Sequence, residues 1–173
     1  MKRRFLIGSI SAAVIVILFA LMWLYFSKQN LTAYAFLEKH TVASDPLFAA
    51  EEYLTEVSLD NHTILLFYLN REDTVSCAVV RETPFSYHLL RQDGGAPITT
   101  GQEAYPYHYI GYQDGNDWKW VAWGIRSDNV KSVSFNGKTM CNVFVPSHSL
   151  DIVWLTGTGI VEQFQYQVTD SNL

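Results

Sequence analysis

The pattern of apolar and polar positions divides the chain in two. From Phe5 to Phe26 there is no charged side chain over 22 positions. At about 1.5 Å per residue a helix of that length spans roughly 33 Å, against a hydrocarbon core of about 30 Å. Backbone N–H and C=O groups left unpaired in lipid are costly, so a helix is the required form, and the run predicts a transmembrane anchor over residues 5–26. Residues 27–44 read as a juxtamembrane segment of mixed helical character. A helix is predicted over 45–58: Ser44 and Asp45 offer capping side chains, Pro46 suits a first helical position, and Leu47, Ala50, Leu54 and Val57 recur at spacings of three and four.

Beyond residue 60 the period shortens to two and the apolar runs become short, which predicts strands. Thr63–Leu69 reads as a central strand, and Val75–Arg81 answers it across the polar turn Asn70-Arg71-Glu72-Asp73. Phe85–Arg91 follows, closed by Asp93-Gly94-Gly95, and residues 92–104 read as a loop. The second half continues with Tyr107–Tyr112 and Trp118–Ile125. Val130–Phe135 and Lys138–Val145 are joined by Asn136-Gly137, a strong hairpin signal. Leu150–Leu155 and Val161–Val168 are separated by a turn at Thr156-Gly157-Thr158-Gly159. The fold class expected is an N-terminal transmembrane helix plus a mainly β (α+β) domain over 45–173. That domain has one helix and about eight antiparallel strands in a sandwich or curved sheet, with the 45–58 helix covering a face or an edge. An NTF2-like cone is the competing architecture and requires more helix.

The flanks of the apolar run set its direction. Lys2, Arg3 and Arg4 precede it and only Lys28 follows closely, so the positive-inside rule leaves residues 1–4 as a cytoplasmic tail and places the rest outside the cytoplasm. Trp23, Tyr25 and Phe26 suit the far headgroup boundary. A cleaved signal peptide competes, but its apolar region is about 7–15 residues long and ends in small residues, whereas this run ends Trp-Leu-Tyr-Phe. A pilin-like helix matches in hydrophobicity alone.

Charge then narrows the partners. Three of the 12 basic residues precede the run and all 17 acidic ones follow it, leaving 9 positive against 17 negative, a formal net of −8. That field repels phosphate backbones and argues against nucleic acid. Cys77 and Cys141 lie on the oxidising side of the expected topology, where a disulfide between them is allowed; the competing reading is two small buried hydrophobes.

The segment TILLFYLNREDTVSCAVVRETPFSYHLLRQDGG resembles small membrane-anchored or lipid-modified exported proteins of Gram-positive bacteria. In those an apolar strand, a polar turn, a second apolar strand and a Phe-x-Tyr strand ending in Gly-Gly recur. WVAWGIRSDNVKSVSFNGKTM resembles their second signature. The resemblance covers about residues 62–168. It implies an exported β domain and no particular activity.

Candidate chemistry is sparse. His40, His62, His88, His108 and His148 stand at no metal-ligand spacing, so no metal or cofactor is expected. Ser147-His148-Ser149 with Asp151 has the residue types of a hydrolytic triad but no nucleophile elbow. The feature with most content is aromatic. Tyr105, Tyr107 and Tyr109 alternate, so they share one sheet face, and Trp118 and Trp120 share a face of a nearby strand. Beside Asp114, Asn116 and Asp117, such rings suit stacking on cell-wall sugars or on another envelope protein; equally, they suit a core. The expected function is a non-catalytic binding or interaction domain held at the membrane. A carbohydrate-binding module and an envelope hydrolase are the alternatives.

Overall fold

The computed structural model describes residues 14–26, 31–41, 45–98 and 107–170. Among these are two helices, α1 (residues 14–26) and α2 (Ala33–His40). Eleven strands follow: β1 (Ala50–Ser58), β2 (Thr63–Asn70), β3 (Thr74–Glu82), β4 (Tyr87–Pro97), β5 (His108–Asp114), β6 (Asp117–Arg126), β7 (Val130–Phe135), β8 (Lys138–Thr139), β9 (Cys141–Val145), β10 (Leu150–Thr158) and β11 (Tyr166–Asp170). They form three antiparallel sheets, ordered β1-β2-β3-β4, β5-β6-β10-β9 and β11-β7-β8. The mainly β reading therefore holds, with eleven strands in place of eight and three sheets in place of one sandwich.

The sheets stack in layers, with α2 outermost. Its N-cap is Thr32, whose hydroxyl accepts from Ala35 N at 3.0 Å, and its buried face is Ala33, Phe36 and Leu37. That face packs on Leu66, Tyr68, Ala78 and Val80 of the first sheet. The opposite face of this sheet presents Leu65, Phe67, Cys77 and Val79 to Val121, Trp123 and Ile152 of the second sheet, where Phe67 and Trp123 lie 5.7 Å apart. The second sheet's far face meets the third through Trp120, Ala122, Val153, Val133 and Phe135. β2 and β3 are thus covered on both faces, which is why their sequences read as continuous apolar runs rather than alternating ones. Each large side chain so buried contributes roughly 1.5–3 kcal/mol.

The helix predicted over 45–58 is instead a tight turn leading into β1. The register slips between Ala50 and Glu52 and again between Tyr53 and Thr55. A bulge sets two successive side chains against one partner, so Leu54, Val57 and Leu59 all reach the core at spacings that imitate a helix face. The helix that covers the first sheet is α2, within the segment read as juxtamembrane.

Three strand ends are also corrected. β4 runs through Gly94-Gly95 to Pro97 instead of stopping at Asp93. Gly95, at φ +99°, is the extra residue of a bulge, and a Cβ on Gly94 would stand 2.3 Å from Ser76 Oγ. The Asn136-Gly137 turn does form a hairpin, with φ +49° and +76°, but its return strand divides at Met140. β8 stays in the third sheet and β9 crosses to the second. β10 continues through Gly157, and of the strand predicted at Val161–Val168 only the part from Tyr166 is paired.

The expected anchor falls partly outside the described residues. Residues 14–26 are helical and every one is exposed. Among the described residues no helix is long and apolar enough to cross a membrane.

Candidate functional site

The aromatic residues collect on the second sheet's face toward the third. Tyr107 and Tyr109 share it, as do Trp118 and Trp120, so the two groups expected on separate faces lie on one; Tyr105 lies outside the described residues. Three glycines of this sheet each sit under a ring. A Cβ on Gly111 would stand 2.5 Å from Trp118, on Gly124 2.4 Å from Tyr107, and on Gly157 2.2 Å from Trp120. Gly157 is the cross-strand partner of Trp120, so a side chain there would displace the indole. Glycine opposite an aromatic lets the ring lie along the sheet surface. The signal was present in the sequence as Gly111 and Gly124 within strand-like runs; Gly157 read instead as a turn residue.

The rings then stack outward. Tyr107 lies 4.8 Å from Tyr166, and Tyr109 lies 4.4 Å from Phe164 and 6.1 Å from both Trp120 and Phe135. Tyr166 donates its hydroxyl hydrogen to His108 O at 2.6 Å, and burial, with Asp93 nearby, pushes its phenol well up. Trp120 is buried at 8% exposure, whereas Trp118 is 44%, Phe164 55% and Ile160 82% exposed. Gly159 N donates to Trp118 O at 2.8 Å, which holds the end of β10 to the start of β6. An open groove of about 570 Å³ is lined by Asn136, Ile160, Val161, Glu162, Gln163 and Gln165. The aromatic group is therefore a core at Trp120, with exposed apolar side chains at Trp118, Phe164 and the neighbouring segment's Ile160.

Asp114 is occupied. It pairs with Arg81 of the first sheet and accepts from Lys119 Nζ at 2.6 Å, and Lys119 also reaches Asp60 at 3.3 Å. This network ties the first two sheets together, leaving Asn116 and Asp117 as the exposed polar groups near Trp118.

The histidines disperse. His108 stacks on Trp123 at 4.5 Å and points Nδ1 at Asp93 Oδ2, 3.1 Å away, while the same oxygen accepts from Trp123 Nε1 at 3.0 Å. His148 Nδ1 is 2.9 Å from Ser147 Oγ, but its partner across the ring is Glu52, 3.6 Å from Nε2, not Asp151. Asp151 pairs with Arg126. Of the triad pattern, Ser147 and His148 are thus in contact and Asp151 is engaged elsewhere. Among the described residues no group of three or more His, Cys, Asp or Glu side chains is placed to hold a metal.

Cys77 and Cys141 are free thiols, so the disulfide left open by the sequence is not formed. Cys77 is wholly buried between the first two sheets, where burial and Asp93 raise its thiol well above the usual range. Cys141 is exposed on β9.

Comparison with known proteins returns no family, no curated protein and no solved structure that matches this chain.

Proposed function

We propose that this protein is a membrane-tethered binding module whose contact face is the apolar surface at Trp118, Ile160 and Phe164. The observation that carries the reading is the exposure of these three large apolar side chains, with Phe164 seated on the aromatic layer at Tyr109 and Phe135. Large apolar side chains left in the open on one domain favour association, and a ring held by a packed layer loses little entropy on binding. The tether is supported by the uncharged run from Phe5 to Phe26 and by the exposure of every residue of α1. In this reading the domain stands outside the cytoplasm and meets another envelope protein.

Affinity capture with the full chain in membranes tests it. A specific envelope protein is expected, and is lost with Trp118→Ala and Phe164→Ser. Recovery of nothing above background, or of the same protein by both variants, overturns the reading. Alkaline carbonate extraction reads the tether separately: the chain is expected to stay with the membrane fraction.

The exposed Trp118 ring beside Asn116 and Asp117 favours a second reading, a carbohydrate module for the cell wall, since an indole face stacks on sugar rings. Sedimentation with purified wall material, abolished by Trp118→Ala, is its expected result.

A further inference from the structure

A sheet ends in strands with half their backbone hydrogen-bonding groups unused, and proteins protect such edges with charge, proline, bulges or brevity. The protection here is uneven. β1 carries Glu51, Glu52 and Glu56 and two register shifts. β4 and β5 lie against each other where the first two sheets adjoin. β8 has two residues, one of them a lysine, and β11 ends in a shift at Asp170. β9 has none of these devices. Its five residues, Cys-Asn-Val-Phe-Val, hold an unbroken register with β10 on one side, carry no charge, and expose Cys141, Asn142 and Phe144, the last at 57%.

We infer that β9 is a self-pairing edge, joining the second sheets of two copies of this chain into one continuous antiparallel sheet. Two features choose a second copy as the occupant. The region beyond the apolar run has a net charge of −8, so two copies repel over most of their surface and meet at least cost along a charge-free strip. The strip is also self-complementary: a two-fold axis through Val143, the central residue, pairs all five positions and sets Phe144 of each copy across from Asn142 of the other. No like charges oppose, and the contact is isologous and closed. A five-residue strand pair is smaller than a stable interface in free solution. The pairing therefore draws on the membrane tether, which confines the copies and raises their effective concentration; to that extent it rests on the tether reading above.

The native thiols supply the probe, because Cys141 is exposed and Cys77 is buried. In the register centred on Val143 the two Cys141 residues are offset by about four residues along neighbouring strands, an estimated separation of about 14 Å. A bifunctional maleimide with a spacer of about that reach, applied to the full chain in lipid vesicles, is expected to give covalent dimer. Asn142→Lys with Phe144→Lys sets lysine against lysine at two exposed positions, and the cross-linked fraction should fall about tenfold or more. A monofunctional maleimide should label Cys141 equally in both proteins. Labelling without cross-linking in the parent chain, or cross-linking that survives the double lysine variant, overturns the inference. Carbonate extraction of the same vesicles separates the two readings. A chain that cross-links but washes off loses the tether and keeps the edge; a chain that stays but does not cross-link loses the edge alone.

Discussion

Asn70 holds the N-terminal entry of the domain to its first hairpin, and removing its side chain should be among the costliest single polar changes. It is 1% exposed. Its Oδ1 accepts from Glu72 N at 2.9 Å and Thr74 N at 3.2 Å, closing the turn between β2 and β3. Its Nδ2 lies within 3.0 Å of Leu47 O, Thr74 Oγ1 and Ser76 Oγ, which fastens the turn before β1 onto that hairpin. Asn70→Ala leaves the Thr74 N–H without an acceptor in a partly buried site and frees the Glu72 N–H to water. Leu47 O keeps its bond from Ser76 Oγ at 2.7 Å. At roughly 1 kcal/mol for each net bond lost, and up to about 2 for a group left buried without a partner, the cost is about 2–4 kcal/mol. Urea unfolding followed by tryptophan fluorescence measures it. Asn70→Asp keeps both acceptor bonds but turns a buried carboxylate toward Leu47 O. It should be at least as damaging at neutral pH and should recover on acidification, when the acid regains a donor. A cost below about 0.5 kcal/mol for Asn70→Ala, or no pH dependence for Asn70→Asp, would refute the account of the network.

Three further outcomes are expected. Gly157→Ala, whose Cβ would stand 2.2 Å from the Trp120 ring, should cost about 1–3 kcal/mol by forcing the indole off its seat, read by thermal unfolding and near-UV dichroism. A thiol reagent should label Cys141 at once and Cys77 only at the rate of unfolding, since Cys77 is buried with its thiol raised by that burial. Partial burial pushes the Asp60 carboxyl up, but hydrogen bonds from His62 N, Thr63 and Lys119 outweigh it and hold the group below its ordinary value of 3.8. Its stabilising contribution is therefore complete above that value and is lost as pH falls through the lower folded one. Asp60→Asn should remove that part of the acid limb of stability, measured by urea midpoints from pH 5 downward.

The short apolar runs at 63–69, 75–81 and 118–125 and the alternation at 130–135 were enough to locate β2, β3, β6 and β7. In each of them local preference and burial point the same way. The 22 uncharged positions at 5–26 are a property of the chain itself, and of them the structure describes residues 14–26, an exposed helix. Where local pattern and tertiary packing diverge, the sequence misled. Leu54 and Val57 carry a helix-like spacing that arises from a bulge opposite β2, and a bulge exists only once a partner strand is present. Gly94 and Gly157 look like turn residues and lie inside strands, because a close neighbour or an overlying ring, not a change of direction, excludes a side chain. Met140 carries no local sign that the chain there leaves one sheet for another. The aromatic positions Tyr107, Tyr109, Trp118 and Trp120 were visible as a group sharing faces, but alternation says which side of a strand a ring occupies and nothing about what covers that side. That was decided by the third sheet, which buries Trp120 and leaves Trp118 in the open.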